Sequence, residues 1–510
     1  MKTFRFSEHP FLLFFLVAFA FFFQLGSAPL FDLDEGAFSS ATWEMLQRGD
    51  FITPYSNGTP RFDKPILIYW FQAASVSIFG VNEWGFRLPS ALMGSVWVFA
   101  TYLFARQRLG YSAAFSAAAM MACSLGVMAI SRAATADALL NALIALTMLD
   151  IYRYSEKPSR TVLHRVFLWM GLGVLAKGPI AILIPLVVSF IFFLSEMRLR
   201  TWLACLFNPT GWLIFLAIIL PWYTLVLYDQ GWAFIEGFFL KHNVSRFSST
   251  MEGHGGNPLF YLPVAFLIVL PFSGILINLL TRGRTLWNNS LNRFLIIWFG
   301  FVFVFFSFSS TQLPHYLLYG STPLFLLMAP KFSALQNRWL AYLPGILFFL
   351  LIAALPELLK VGLPYEDNAY RHELLTLGIH SVDLNYRILT GVTFVFAIGL
   401  LLLPKHLIAK GLMTLGILQL VVVIQGLLPL AGSMQQQPVK SAAAQAKSLN
   451  EEVIMWGINM PSFTVYSGQI TPRRFPAPGE LVFTRADKLN QLGAHSPLFT
   501  HGGIILTRKQ

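Results

Sequence analysis

Long apolar runs recur along most of this chain, and they constrain its fold more than any other feature. A helix that crosses a bilayer needs about 20 mostly apolar residues. On this rule we read thirteen spans, several of them short and bounded by proline: 10–29, 84–105, 111–130, 137–154, 162–176, 179–195, 209–228, 259–280, 294–310, 315–330, 339–357, 387–404 and 411–430. Only 12% of the 510 residues are charged and 56% are hydrophobic, a balance that does not suit a soluble core. The sequence therefore predicts an α-helical integral membrane protein with about 13 transmembrane helices.

The first apolar run has a second interpretation. Lys2 and Arg5 precede it, and Gly26-Ser27-Ala28 resembles a cleavage site, which is the pattern of a secretory signal peptide. The many spans that follow favour a first helix that is retained in the membrane.

Basic residues alternate between the two sides of these spans. With a cytoplasmic N-terminus, every basic cluster falls in a cytoplasmic loop: Arg106/Arg108, Lys157/Arg160/Arg165, Arg198/Arg200, Arg282/Arg284/Arg293, Lys331/Arg338 and Lys405/Lys410. Cytoplasmic loops of membrane proteins carry this excess of lysine and arginine. The opposite loops, 30–83, 229–258 and 358–386, are longer and mixed in sign. We therefore predict a transmembrane domain over residues 1–430 with periplasmic long loops.

The chain changes character after residue 430. A Gln/Pro/Ala-rich stretch, Gln435–Lys447, is followed by short strand-like runs with Pro/Gly-rich turns: Val453–Gly457, Pro461–Tyr466, Leu481–Thr484 and Ile504–Thr507. An odd number of spans leaves this segment on the side opposite the N-terminus. We predict a small soluble α/β domain over residues 431–510, in the periplasm.

Several other function classes lack support in the sequence. The net charge is +12, but the basic residues cluster in short loops. This clustering is typical of membrane topology and does not indicate binding to nucleic acid. No Walker A loop, GxGxxG, HExxH or CxxC motif stands in a suitable context, so nucleotide binding and a structural zinc site have no basis. Cys123 lies inside an apolar run and Cys205 in a short basic loop, so we do not expect a stabilising disulfide.

Unusual polar residues collect on the predicted outer side of the membrane. They are Asp34, Glu35, Asp63, Lys64, Asp137, Lys177, His242, Arg246, His254, His315 and Tyr316. Each has a structural alternative, because acids can stabilise helix N-termini and long cationic side chains can extend to lipid headgroups. Their convergence on one side favours a shared site. Cations neutralise phosphate oxygens and a carboxylate can take a proton from an acceptor hydroxyl, so the set suits transfer chemistry on a phosphate-bearing substrate.

The outer-loop segment Asp32–Trp70 also carries a family resemblance. Together with WGFRLPSALMG, RAATAD, LAKGP, KHNVSRF and FFSFSSTQLPHYLLYGSTPLFLL, it resembles the dolichyl-phosphate-mannose protein mannosyltransferases and the bacterial lipid A aminoarabinose transferases. These are integral-membrane glycosyltransferases of the C fold. The likeness covers about residues 30–330 in the same order, and the thirteen spans with an external C-terminal domain fit the aminoarabinose-transferase branch.

The resemblance implies roles for individual residues. The catalytic candidates are the acids of the first outer loop and the aspartate of the TxD motif: Asp34, Glu35 and Asp137. The candidates for binding the carrier phosphate are Lys64, Arg246, Lys177 and Tyr316. In the aminoarabinose transferases an acid and a later histidine can bind a divalent metal ion, which here points to Asp63 with His242 or His254. Relatives usually have glutamate where this chain has the shorter Asp63.

The resemblance and the polar cluster predict a bacterial inner-membrane glycosyltransferase whose active site faces the periplasm. It would take a sugar from an isoprenoid phosphate donor, of the undecaprenyl type, and pass it to lipid A, another glycolipid or glycan, or a protein. Single displacement predicts inversion at the anomeric carbon. A transporter or flippase of a lipid-linked sugar is the alternative from another class, and a catalytically silent membrane scaffold is a third.

Overall fold

Helices make up most of the chain as far as Leu449 in the computed structural model, which describes residues 10–245, 256–280 and 286–510. The helices of this part are α1 (Pro10–Phe22), α2 (Asp34–Arg48), α3 (Leu67–Phe79), α4 (Glu83–Cys123), α5 (Leu125–Arg132), α6 (Asp137–Glu156), α7 (Arg160–Lys177), α8 (Ile180–Ser195), α9 (Leu199–Leu206), α10 (Pro209–Gln230), α11 (Trp232–Phe234), α12 (Tyr261–Ile268), α13 (Ser273–Leu280), α14 (Ser290–Ser307), α15 (Ser321–Phe332), α16 (Arg338–Gly362), α17 (Ala369–His380), α18 (Leu384–Gly399), α19 (Ile408–Val422), α20 (Leu428–Gln435) and α21 (Gln437–Leu449). Short 3-10 helices span Pro314–Gly320, Leu363–Tyr365, Leu400–Leu402 and Lys405–Leu407, and π-helical turns span Ile235–Ser245 and Val423–Leu427.

The helices agree with a chain that crosses a bilayer many times. Each of the thirteen predicted spans coincides with at least one helix. Among the described residues, six helices are long and apolar enough to cross a membrane by themselves, or seven if the bent α5–α6 pair is one span. Leu347 and Leu351 on α16, and Val392 and Val395 on α18, expose more than half of their surface, as helices facing lipid can. The number of thirteen spans and their sidedness stay predictions.

Breaks in the helices bring polar residues to the ends of spans. Gly110, with φ +81°, interrupts α4 between the predicted spans 84–105 and 111–130. Helices α5 and α6 meet at an angle of 119°, and the turn between them leads into Asp137. Since lipid cannot hydrogen-bond freed backbone groups, a break such as that between α5 and α6 is tolerated where protein or a cavity surrounds it.

The segment between α1 and α4 folds over the helical core. It contains α2, a hairpin of strands β1 (Tyr55–Ser56) and β2 (Thr59–Pro60), and α3. Phe38 of α2 and Tyr69 of α3 stack with ring centroids 5.6 Å apart, and both belong to one apolar cluster with Trp222 of α10. This packing fixes the segment between α1 and α4 against the membrane helices.

The C-terminal residues form a four-stranded mixed sheet. Its remaining elements are β3 (Val453–Met455), α22 (Ser462–Ser467), β4 (Leu481–Arg485), a 3-10 turn (Ala486–Lys488), α23 (Leu489–Leu492), β5 (His495–His501) and β6 (Ile504–Lys509). The strand order is β3-β4-β6-β5, with β3 and β4 parallel and the other pairs antiparallel. Three of the predicted strand segments are therefore strands, and the small α/β domain is confirmed as a fold.

One predicted strand is a helix. The run Pro461–Tyr466 was expected to be extended, but Ser462–Ser467 forms the short helix α22. Residues 461–465 are all buried, and a short run buried on every side has no periodicity that separates helix from strand. The edge strand β5 was not predicted, because Pro497 within it is unusual for a strand.

Candidate active site

A cavity of about 240 Å³ lies where the start of α2, the bend between α5 and α6 and the Pro314–Gly320 turn meet. Its wall carries ionisable side chains from distant parts of the chain: Asp32, Asp34, Glu35, Arg87, Arg132, Asp137 and His315. The structure thus brings the three predicted catalytic acids to one cavity. Their chemical surroundings differ sharply.

Asp137 begins α6 and is buried, with 6% of its surface exposed. Its carboxylate forms an ion pair with Nζ of Lys177. The Tyr319 hydroxyl donates a hydrogen bond to Asp137 Oδ1 at 3.1 Å, and His315 Nε2 lies 3.9 Å from the same oxygen. Two predicted site residues, Asp137 and Lys177, are therefore in direct contact.

Lys177 is held by aromatic faces as well as by a carboxylate. It ends α7 in front of Gly178, whose φ of +92° turns the chain into α8. The rings of Tyr316 and Tyr319 lie 5.6 and 5.5 Å from Nζ, within the range of cation–π attraction. The predicted residue Tyr316 is buried and belongs to the same cluster.

Asp34 is exposed at the first position of α2. Among the described residues, none makes a hydrogen bond or an ion pair with its carboxylate. The cap position of α2 is Leu33, and no side chain caps this helix end. The alternative in which Asp34 serves as a hydrogen-bonding cap therefore has no support, and the carboxylate is available to a ligand in the cavity.

Glu35, the neighbour of Asp34, is fully engaged. Arg87 Nε donates to Glu35 Oε1 at 2.8 Å and Arg87 Nη2 to Oε2 at 2.7 Å. The backbone N–H of Ala134 and that of Phe31 add bonds of 2.7 and 2.8 Å. Only 4% of Glu35 is exposed. These contacts favour a positioning role for Glu35 in place of the catalytic role suggested by the sequence.

Lys64 and Asp63 lie near the cluster but make different contacts. Lys64 Nζ donates to the Asp63 carbonyl at 3.0 Å, and its charge acts on Asp137 and His315. The Asp63 carboxylate lies 3.0 Å from Arg61 Nη2. A cation beside Asp63 competes with any metal ion for its oxygens.

The remaining predicted ligands cannot be compared with the structure. Arg246 and His254 lie outside the described residues, and of His242 only the backbone, within the Ile235–Ser245 turn, is described. Within the described ranges, no group of three His, Cys, Asp or Glu side chains could hold a metal ion. The divalent metal therefore stays a prediction.

Sequence reasoning missed several residues of this site. Arg87 is buried in α4, and Arg132 is buried at the end of α5, where it donates to the Ala20 and Gln24 carbonyls at 3.1 Å. Tyr319 was missed because an aromatic residue in an apolar run gives no signal. Arg87 and Arg132 did give a signal in the sequence, since a cation inside a membrane protein needs a partner or a function.

The sequence of the chain is similar to those of known proteins. Residues 63–224 match the profile of the family described as dolichyl-phosphate-mannose-protein mannosyltransferase. An uncharacterized protein of Aquifex aeolicus (strain VF5) is 30% identical over 341 residues, which are 66% of this chain and 76% of that protein. The undecaprenyl phosphate-alpha-4-amino-4-deoxy-L-arabinose arabinosyl transferase 1 of Pseudomonas fluorescens (strain Pf0-1) is 30% identical over 325 residues, 61% of this chain. The match spans 56% of that transferase's length.

A solved structure shares the fold along the whole chain. The crystal structure of ArnT from Cupriavidus metallidurans bound to undecaprenyl phosphate has a TM-score of 0.83 and 18% sequence identity, and 99% of each chain is covered. The predicted fold class, a helical multi-span membrane protein with a small C-terminal mixed-sheet domain, is confirmed.

Proposed function

This chain belongs to the family of dolichyl-phosphate-mannose-protein mannosyltransferases, and we propose that it is a membrane glycosyltransferase that uses a polyprenyl-phosphate-linked sugar as donor. The observation that carries the proposal is the pair of carboxylates in one cavity, Asp34 available and Asp137 neutralised by Lys177. The named activity of the arabinosyl transferases and the undecaprenyl phosphate bound to the matching structure support the choice of donor.

The reaction is a single displacement at the anomeric carbon. An acceptor hydroxyl forms a bond to that carbon, and its proton passes to the Asp34 carboxylate. The bond between the carbon and the carrier phosphate oxygen breaks, and its electron pair leaves on the polyprenyl phosphate. This course predicts inversion, which NMR of the product's anomeric proton would test. An acceptor that is itself an ionised phosphate needs no base, and Asp34 then orients it.

Cations near Asp137 stabilise the departing phosphate. Lys64 and Lys177 are the candidates among the described residues, and Arg246 is a third that rests on the family resemblance. A charge-assisted hydrogen bond contributes about 1.5–3 kcal/mol. When no donor is bound, the Asp137 carboxylate holds Lys177 in place. When the donor binds, the Lys177 ammonium group interacts with both the carboxylate and the phosphate.

The proposal also specifies the acceptor, the membrane and the orientation of the protein. The acceptor is lipid A, another glycolipid or glycan, or a protein, and the protein is in the bacterial inner membrane with this cavity facing the periplasm. The basic loops support this orientation. A phosphatase fused after Gln436 should be active and one fused at Lys157 inactive, whereas the reverse result would contradict the orientation.

The test is release of free polyprenyl phosphate from undecaprenyl-phosphate-linked aminoarabinose by purified protein, with bacterial glycolipid as acceptor. We expect Asp34→Asn to reduce release by about 10²–10⁴-fold while donor binding is retained. Asp367→Asn, at an exposed position, is the matched control and should be unaffected. Transfer that survives in Asp34→Asn would contradict the catalytic assignment. Wild-type protein that moves the lipid without releasing the carrier would instead be a flippase.

A further inference from the structure

The C-terminal domain holds the segment that leads into Asp34. The backbone N–H of Ser462, in α22, donates to Asp32 Oδ1 at 3.0 Å, and the Ser462 hydroxyl donates to Asp32 Oδ2. Asp32 and Ser462 are 430 positions apart in the sequence. Both oxygens of one carboxylate on the first outer loop are thus bound by one residue of the soluble domain.

The backbone beside Asp32 is held by the same domain. The Leu30 N–H donates to the Tyr466 hydroxyl at 2.7 Å. With its amide oriented to satisfy both neighbours, Gln436 donates to the Leu30 carbonyl at 3.1 Å and accepts from the Asp32 N–H at 3.2 Å. The backbone of residues 30–32 therefore has several partners outside its own loop.

Further contacts tie α22 to the membrane helices. The Tyr466 hydroxyl donates to Glu83 Oε1 at 3.0 Å, and Lys440 Nζ lies 2.5 Å from the same oxygen. Val465 packs in an apolar cluster with Leu30, Trp43, Phe86 and Ala134. The contact combines apolar packing with directed hydrogen bonds, and it fixes an orientation.

Gly36 shows how closely these parts approach. A Cβ atom at this position would lie 1.8 Å from Asp32 Oδ1 and 2.8 Å from the Ser462 nitrogen. Any side chain at position 36 would therefore clash with the Asp32–Ser462 contact. Only glycine fits at this position, two residues after Asp34.

We propose that Asp32 and Ser462 are positioning residues, through which the C-terminal domain orients Asp34 for sugar transfer. The Asp34 carboxylate makes no hydrogen bond to the described residues, so its direction depends on the neighbouring residues. On one side Glu35 is fixed to Arg87, and on the other Asp32 is fixed to Ser462. The C-terminal domain is then part of the active site. This inference rests on the proposed function, because it assigns the reacting carboxylate to Asp34.

The surroundings of Asp32 support a role beyond packing. Burial raises the pKa of Asp32 to about 7, the Ser462 hydrogen bonds act in the opposite direction, and the charge of Glu35 adds to the rise. Besides burial, the charge of this carboxyl contributes to the raised pKa of Tyr370, and Arg87 forms an ion pair with Glu35. A buried acid is costly to keep, and an amide or an apolar side chain could pack in its place.

The first experiment separates positioning from folding by steady-state kinetics. At a fixed pH, Ser462→Ala and Asp32→Asn should each lower kcat by about 10- to 100-fold with little change in the KM for donor, and the loss should not follow Tm. Ser462→Thr keeps the hydroxyl and should restore most of the rate. Ser448→Ala, an exposed serine in the same domain, should match wild type. Unchanged kcat in both variants, or a loss that follows Tm and is not restored by threonine, would overturn the proposal.

A second measurement does not depend on the reaction. Hydrogen exchange of a peptide covering residues 30–36 should be faster in Ser462→Ala than in wild type or Ser448→Ala. If wild-type protein released no polyprenyl phosphate, the proposed function would fail while this measurement still tested the contact. Equal exchange in all three proteins would show that Ser462 does not hold the loop. Should Ser462→Ala not fold, Asp32→Asn provides the same comparison.

Discussion

Two buried ion pairs around the cavity show how similar charges are used differently. Glu35–Arg87 and Asp137–Lys177 each join an acid to a cation, and in each pair both side chains are at most 10% exposed. Every arginine nitrogen in the first pair donates, to Glu35 or to the carbonyls of Leu25, Ala28 and Pro29. The Glu35–Arg87 pair has no donor left for a ligand.

The Asp137–Lys177 pair keeps binding capacity. An ammonium group has three donors, and Lys177 has one carboxylate and two aromatic faces around it. Asp137 lines the cavity and accepts from Tyr319 through the same oxygen that approaches His315. The difference indicates that a saturated pair holds the loop in place, whereas an unsaturated pair can receive a charged ligand.

The largest effect should come from breaking the saturated pair. Arg87→Met leaves the Glu35 charge buried without its partner, which costs about 3–5 kcal/mol in free energy of unfolding. Arg387→Met removes a pair with Glu357 whose side chains are about half exposed, and it should leave the free energy of unfolding close to that of wild type. Chemical denaturation in detergent would measure both. Equal losses would contradict the structural role given to Glu35.

Breaking the other pair should affect transfer more than folding. Lys177→Met removes the charge-assisted contact that we propose with the donor phosphate, and we expect transfer to fall about 10- to 100-fold. The folded yield should fall less than in Arg87→Met, because Asp137 keeps the hydrogen bond from Tyr319 and the nearby His315. Lys360→Met, on an exposed helix face, is the control. If Lys177→Met instead unfolded as readily as Arg87→Met while its folded fraction kept the transfer rate of wild type, the two ion pairs would not differ in role.

Asp32, whose pKa is affected by Glu35 of the saturated pair, should make the stability of the protein depend on pH. The pKa of Asp32 is raised to about 7 by burial, above the value of about 4 expected in an unfolded chain. The folded state therefore retains a proton that the unfolded state releases, and this contribution to stability is complete below about pH 4. It decreases as pH rises towards about 7, by at most about 1.4 kcal/mol per pH unit. The difference in Tm between wild type and Asp32→Asn should change from pH 5 to pH 8, and parallel curves would contradict this.

The smallest effect tests the hydrogen bond on Asp137. Tyr319→Phe removes the donor at 3.1 Å but keeps the ring beside Lys177, so about 0.5–1.5 kcal/mol should be lost. In kinetic terms this is a decrease of roughly 2- to 13-fold in kcat/KM. Tyr228→Phe, at a residue 93% exposed, should leave the rate unchanged. A loss as large as that of Lys177→Met would mean that Tyr319 contacts the substrate.

The helices and the identity of several site residues could be predicted from sequence, but their pairing could not. Apolar runs predict spans because lipid forces the backbone to bond within its own segment. Asp34, Asp137 and Lys177 were found through motifs. The contact of Asp137 with Lys177 joins two helices across 40 positions, and that of Glu35 with Arg87 spans 52. Nothing in the local sequence distinguishes Glu35, which is saturated, from Asp34, which is exposed.

The amino-acid pattern alone is enough to predict a helical membrane protein with a small C-terminal α/β domain and a polar segment around Asp34, because hydropathy and charge act on each segment separately. The folded structure was needed to show which acid is free for a ligand, and that Ser462 binds Asp32 from 430 positions away. It also decided that residues 462–467 are helical, since their burial comes from other parts of the chain. Hydrogen bonding and burial depend on neighbours in space, and those neighbours exist only once the chain has folded.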